Sequence, residues 1–582
     1  MKKIYLVPLA ALILGSCSNN DITTGGEDEN VSKSFLTVKL ASPYGTTRAD
    51  YVDGYATENN INSIRFYFFY DNGEPTPVMK PAGSDSYRSF IEWYPADNDN
   101  DQQTDLPEGN TVEKIVETTI GINQPVGTAH PNLVLAVINP PSVLTNYTGS
   151  LNLDNIKNLV SDYYTDLHDN NFVITNSVYV DENKNIISAT PISEDNLKPT
   201  PDDPDLKKLV IYVERVLARI DLQLNLTNQT MTVTPSDGGS PYTIYRVSEQ
   251  KINGDEQDIY IRLLGWNVAQ YTNTSRLVKD INVWPSNLFG DNQPWNIFEY
   301  HRSFWAINPQ DVTYTYNTFV HIPGTDYPYA SKLAIPENGK TASPVYVQEN
   351  AADYKDAEEG TGAVNPTSLV FAAQLVNANG TPLELVKWAN KYYSITGALN
   401  TIANSLSLWY KTETTQDGKP GTLYTHIKPE DLRLVSAEEL YGDNPLPDDV
   451  AEYYVFVQLT EAAQAKDWYQ GNTPDSPGIT PEAANKLILD STSHLYVWNK
   501  GEAYYFIDVR HLGYEGSPGY WGIVRNHIYN INLTLIEGLG TPVFNPDETF
   551  HPQTPTTDEN VISAEVRILQ WRVVSQNYTI KW

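Results

Sequence analysis

Short runs of alternating apolar and polar residues recur along this chain, divided by stretches rich in Pro, Gly, Asn and Asp. A period of two predicts half-buried strands. Residues 35–41 begin the series, with Leu36, Val38 and Leu40 on one face. Further strands are predicted over 61–70, 113–122, 132–138 and 172–180, the third closed by Asn139-Pro140-Pro141. One segment departs from the pattern. Leu153, Ile156, Leu159, Val160 and Tyr163 follow the helical period, with Asp154 near the start, and predict a helix over 153–168.

The longest alternation covers 209–226. Leu209, Ile211 and Val213 share one phase; Val216, Ala218, Ile220, Leu222, Leu224 and Leu226 take the other. A shift of one residue turns every side chain to the opposite face, so a bulge or a change of sheet is expected at Glu214-Arg215. Strands follow near 258–268, 344–349, 367–376, 452–459, 495–509 and 522–536, and 382–407 is expected to be helical in part. Residues 280–365, rich in Asn, Pro, Tyr and Gly, read as long decorated loops rather than a third core. No repeat of fixed period is found. With 39 Tyr, 38 Pro and 34 Gly, the composition fits the same β-rich, turn-rich picture. A length of 582 residues allows two to four domains.

The amino terminus adds a targeting signal. Lys2 and Lys3 precede a short apolar run, 4–14, and Leu14-Gly15-Ser16-Cys17 reads as a lipobox. The run is too short to span a bilayer. Cys17 is the only cysteine, so the exported protein folds without disulfides and the thiol is the expected point of lipid attachment. Residues 18–34 are polar and read as a flexible tether. The net charge of −33 excludes the basic face that nucleic acid or an anionic membrane surface would need.

Catalytic patterns are missing: there is no HExxH, Walker loop or GxSxG elbow. No cofactor is expected, and the chain is not read as an enzyme. His511 and His527 lie in strand-like stretches and read as structural. Asp97, Asp99, Asp101, Asp105 and Glu108 have the spacing of an EF-hand loop, but Gln102 stands where its glycine belongs and no flanking helices are evident. A solvated acidic loop is the better reading, with calcium as the weaker candidate.

Four places together resemble the FimA/Mfa-like fimbrillins of Bacteroidales type V pili, in particular the minor-fimbria shaft subunit type. The lipobox is followed by a strand and a polar loop ending in Arg48-Ala49. Tyr212-Val213-Glu214-Arg215-Val216-Leu217-Ala218-Arg219-Ile220 is similar to the family's VERxxAR strand. Gly522-Ile523-Val524-Arg525-Asn526-His527-Ile528-Tyr529, leading to Gly538-Leu539-Gly540-Thr541-Pro542, is similar to its VRNxxY region. The closing residues 561–582, with central Trp571, resemble its terminal strands.

The resemblance implies a mainly β fold of two transthyretin-like β-sandwich domains, with a few short helices and long loop insertions. The corresponding division is a signal 1–17, a propeptide 18–48, sandwiches over 49–215 and 216–540, and a spacer and tail 541–582. It implies an exported lipoprotein precursor, cleavage between Arg48 and Ala49, and displacement of the first strand with Leu36, Val38 and Leu40. The groove so opened is filled by the carboxyl-terminal strand of a neighbour. The implied partners are other copies of the chain and accessory fimbrial subunits, in a surface fimbrium of the outer membrane that supports adhesion or biofilm formation.

The tail has its own pattern. Residues 541–560 form a Pro/Thr-rich spacer. Ile562, Val566 and Ile568 alternate with polar residues, and after a change of phase Leu569, Trp571 and Val573 do the same. This pattern alone fits an ordinary last strand of the chain's own sandwich; with the resemblance, a donor strand is expected. Two rival functions stand beside the shaft subunit: a glycan-binding surface lipoprotein using some of the 12 Trp and 39 Tyr, and an anchor or adaptor of the same fimbria.

Overall fold

The computed structural model describes residues 31–41, 51–52, 55, 58, 60–94, 116–147, 151–163, 172–180, 186–269, 274–279, 333–349, 367–416, 419–442, 444–511, 522–545 and 571–580. The fold is mainly β, with sheets packed as sandwiches and a few short helices. Among the described residues no helix is long and apolar enough to cross a membrane.

The first sheet runs in the order Leu197–Lys198, Val31–Ala41, Leu209–Arg215, Ile174–Asn176, Leu133–Ile138, Ile64–Phe69 and Phe90–Trp93. Val116–Pro125 lies on the other edge of Val31–Ala41. All six residues of Ile64–Phe69 are buried, so this strand is covered on both faces and reads as a continuous apolar run. Leu36, Val38, Phe66, Phe68, Val134 and Ile211 share one core.

The second sandwich faces two sheets across a second core. One runs in the order Val345–Gln348, Leu217–Leu224, His527–Ile536, Trp571–Ile580 and Tyr51–Val52. The other is centred on Asp255–Ala269, Ser368–Val376 and Glu502–Asp508. Ile220, Leu222 and Ile531 from the first meet Trp266, Phe371 and Tyr505 from the second. The change of phase near Glu214-Arg215 is where the chain changes sheets: Leu209–Arg215 pairs in the first sheet and Leu217–Leu224 in the other. Val216 and Leu217 still pack in the first core, and Ala218 opens the second.

A third core was not expected. Residues between Val386 and Val497 enclose Ile402, Leu432, Val457, Trp468 and Ile488. Its helices, Ile395–Ser405 and Pro481–Thr492, are capped by the Ser394 and Thr480 side chains, which accept from Gly397 N and Ala483 N. The four-stranded sheet built on the hairpin Trp409–Gln416 and Lys419–His426 flanks this core.

The helix expected over 153–168 is shorter. It covers Leu153–Lys157, capped by Asn152, and ends because Val160–Ser161 pairs with Ser275–Arg276. Tertiary pairing overrides the local period there. Most of 280–365 falls outside the described residues; within it, Val345–Gln348 is a strand against Leu217–Leu224.

Candidate assembly site

The first strand is held along both edges. Val31–Leu40 pairs antiparallel with Val116–Pro125 over its whole length. On the opposite edge, Phe35 and Leu36 pair with Lys198 and Leu197, and Val38–Ala41 runs parallel to Leu209–Tyr212. Leu36 and Val38 are fully buried, and the Thr37 and Thr119 hydroxyls are 3.0 Å apart on the other face. The Leu40 backbone pairs with Val116 and Ile211. Removing this strand would leave two rows of unpaired backbone groups facing each other across one strand's width. Buried N–H and C=O groups without partners are costly, so the slot would demand another strand.

The tail has a pinned root. Thr541–Pro542 pairs with Tyr504 and Ala503. Asn499 donates from its backbone N to Val543 O at 3.1 Å and from Nδ2 to Phe544 O at 2.9 Å. Gly540 has φ +71, and a Cβ there would lie 2.8 Å from Tyr504 O, so only glycine fits this turn. The tail strand Trp571–Ile580 then lies in the chain's own sheet, parallel to His527–Ile536, with a register shift between Leu533 and Leu535. Its other edge is met by two residues, Tyr51 opposite Arg572 and Val52 opposite Trp571. Val573 pairs with Ile528.

Charged motif residues gather where the two sandwiches meet. Glu214, Lys279, Glu349 and Arg525 are fully buried and balance two cations against two carboxylates. Lys279 Nζ lies 3.4 Å from Glu214 and 3.8 Å from Glu349, while Arg525 Nε donates to Glu349 at 2.7 Å. The remaining Arg525 nitrogens donate to the carbonyls of Leu277 and Arg276. A second set surrounds Glu58. Arg219 donates to Glu58 and, through two nitrogens, to Asp221 at 2.7 and 2.6 Å. The Tyr346 hydroxyl also donates to Glu58. Arg215 reaches Glu58 O and Asn526 Oδ1.

Burial raises the Asp221 carboxyl above its ordinary value, against the opposing pull of Arg219. Burial lowers the Arg219 guanidinium, but its bond to Asp221 outweighs this and holds it above the usual range. The histidines nearby are structural: His511 Nδ1 is 2.9 Å from Tyr529 Oη, and His527 Nδ1 is 2.7 Å from Arg525 O. The arrangement has no nucleophile–base pair and, among the described residues, no group of side chains that could hold a metal. It welds; what it can do chemically is resist separation of the two sandwiches.

Cys17, Arg48, Ala49, Ile562, Val566, Ile568 and Leu569 lie outside the described residues, as do Asp97, Asp99, Asp101, Asp105 and Glu108. Sequence reasoning missed Glu58, Lys279 and Glu349 as members of the buried sets. No local signal marks them, since each gains its partner from a distant segment.

A mainly β chain of packed sandwiches, with a first strand held along both edges, has a build in keeping with a structural protein. The comparisons agree. Residues 496–577 match the family described as major fimbrial subunit protein type IV, fimbrillin, C-terminal. The match takes in His527–Ile536 and the tail strand as far as Asn577, bears out the resemblance to FimA/Mfa-like fimbrillins, and supports a fimbrial structural role at the cell surface with other fimbrial subunits. No curated protein matches. Similar solved structures include a putative cell adhesion protein from Bacteroides eggerthii, at 10% identity, covering 62% of this chain and 80% of that one with a TM-score of 0.32. A fimbrial assembly protein from Parabacteroides distasonis shows 11% identity, 68% and 97% coverage and a TM-score of 0.28. The tip fimbrial protein Mfa3 from Porphyromonas gingivalis, truncated at its carboxyl end, shows 12% identity, 67% and 98% coverage and a TM-score of 0.26. At such TM-scores these neighbours carry no argument, and the weight rests on the family match.

Proposed function

We propose that the chain is a shaft subunit of a surface fimbria that polymerises by protease-assisted strand exchange. It is exported as a lipoprotein through Cys17 and cut between Arg48 and Ala49. The cut releases the first strand with Leu36, Val38 and Leu40. A neighbour's tail then enters the slot, using Ile562, Val566 and Ile568 or Leu569, Trp571 and Val573. Residues 49–215 and 216–540 act as the two sandwich domains, and 541–582 as spacer and donor. The role is structural rather than catalytic, and the partners are further copies and accessory fimbrial subunits.

One observation carries the reading: the strand Val31–Ala41, which precedes Arg48 in the chain, is paired on both edges, with Leu36 and Val38 buried in the first core. An ordinary propeptide can be shed without a substitute; this one leaves a slot that only another strand can close. The parked position of Trp571–Ile580 beside His527–Ile536 is then the unassembled state of the donor.

Amino-terminal sequencing of subunits recovered from surface polymers tests the reading. Ala49 is the expected first residue. Cys17 as the terminus of polymerised subunits would make the chain an anchor instead. Chains ending at residue 560 should be secreted as folded monomers that form no heat-resistant ladder on gels; a normal ladder from them overturns the donor role of the tail.

A further inference from the structure

Asparagine followed by glycine can modify itself. The backbone nitrogen of the second residue attacks the asparagine Cγ, and glycine, with no side chain, shields that nitrogen least. The chain holds four such pairs: Asn72-Gly73, Asn253-Gly254, Asn338-Gly339 and Asn379-Gly380. All four asparagines are exposed, so contact with water does not separate them. Their carboxamides do.

Asn253 is held at both ends: Nδ2 donates to Ser394 Oγ and Oδ1 accepts from Ser394 N, each at 3.2 Å. Asn338 is held the same way by the Leu226 backbone, accepting from its N at 2.7 Å and donating to its O at 3.0 Å. Asn72 is held at one end, its Oδ1 accepting from Glu74 N at 3.1 Å. Neither side-chain atom of Asn379 has a hydrogen-bond partner among the described residues; only its backbone N is engaged, donating to Asn377 Oδ1 at 2.9 Å.

The fold also requires the glycine that makes Asn379 reactive. Gly380 has φ +79, and a Cβ there would lie 2.6 Å from Tyr242 Oη and 2.7 Å from Val233 Cγ1. Its N–H donates to Asn377 O at 2.9 Å and must leave that bond before it can react. This does not set the site apart, since the N–H groups of Gly73 and Gly339 are bonded as well, to Tyr70 O and Leu224 O. Exposed turns open locally at little cost.

We propose that Asn379 is a self-modification site, converting to aspartate and isoaspartate ahead of the other three. Gly380 N gives up its proton and bonds to Asn379 Cγ; the side-chain nitrogen leaves as ammonia, and a succinimide ring results. Water then opens the ring at either carbonyl. One product is aspartate; the other is isoaspartate, whose extra backbone carbon lengthens the turn between Ser368–Val376 and Leu385–Trp388. That turn carries the Gly380 carbonyl to which Tyr242 Oη donates at 3.4 Å, beside the small core of Ile244, Tyr260 and Val376. Conversion therefore adds a negative charge and loosens one edge of the second sandwich. It requires no enzyme and is independent of strand exchange.

The test holds the full chain at mildly alkaline pH, samples it over time and maps peptides after digestion in acid. The same chain unfolded in urea is the control, where all four pairs should convert at similar rates. In the folded chain Asn379 should convert at least about fivefold faster than Asn253 and Asn338, the factor that one net hydrogen bond is worth, with Asn72 between. Asn379→Ser should abolish conversion at this turn without moving the melting curve. The isoaspartate form should show faster hydrogen exchange at Asn377 and Thr381, whose amides close the turn. Equal rates at all four pairs in the folded chain overturn the proposal, as does Asn72 converting ahead of Asn379. Asn379 left intact when the unfolded control is half converted overturns it as well.

Discussion

The first strand and the tail strand are nearly the same length, eleven and ten residues, yet they are held in different ways. Val31–Ala41 is paired along both edges by three other strands. Among the described residues, Trp571–Ile580 has one long parallel partner and two paired residues on its other side. A strand with two ladders cannot leave one residue at a time without exposing unpaired groups on two neighbours. A strand at the margin can peel, giving up one hydrogen bond after another at a net cost of about 0.5–1.5 kcal/mol each. On the strand-exchange reading, that difference assigns the roles. The slot needs a covalent cut to open, and the donor needs none.

The comparison breaks first, and hardest, at Leu36. Leu36→Asp places a charge with no partner at a fully buried site in the first core. The loss combines about 1.5–3 kcal/mol of apolar burial with the desolvation of an unpaired carboxylate, enough to unfold a marginal domain. Urea titration should show the first sandwich lost at low denaturant while the third core persists. A synthetic peptide of residues 561–582 added to the chain lacking 18–41 should restore the lost transition. Failure of the peptide alone would strike the donor assignment and leave the core assignment standing.

The next break tests whether the two regions are independent. Arg525 lies just before His527–Ile536, the tail's parallel partner, yet its guanidinium holds Glu349 and two carbonyls at the junction. Arg525→Ala leaves the buried Glu214 and Glu349 facing Lys279 alone, with one negative charge unbalanced, and should cost about 3–5 kcal/mol. If the junction welds the sandwiches, both should lose stability together in denaturant titrations monitored at separate probes. Loss confined to the tail side would show that the buried sets serve one sandwich only.

The strands of the first sandwich were legible because their period is local. Leu36 and Val38 announce a buried face within five residues, and the phase change at Glu214-Arg215 announces a change of sheet. The helix over 153–168 was misread because the partner of Val160–Ser161 is more than a hundred residues away, at Ser275–Arg276. The third core escaped notice because it is assembled from short elements, none carrying a long period. The junction was legible only in half. Glu214, Arg215, Arg219 and Arg525 stood inside recognisable motifs, but charges in a strand read as solvent-facing until their partners are known. Glu58, Lys279 and Glu349 supply those partners from separate segments, and this is what permits the burial.

The smallest change sharpens the comparison at the tail's thin edge. Tyr51 and Val52 are the only described residues on that side of the tail strand. Val52→Pro removes a backbone N–H and disfavours continued pairing, while leaving Val31–Ala41 and its two ladders untouched. The expected loss is about 1 kcal/mol or less, too small to move the global melt far. Hydrogen exchange should read it locally. Amides at Trp571 and Arg572 should exchange up to about fivefold faster, while those of Val574–Ile580, paired to Tyr529–Ile536, keep their protection. If protection falls along the whole strand, the two-residue clasp governs release of the entire tail. The first cut after the first strand would then loosen donor and slot together, because the clasp begins only three residues beyond Arg48.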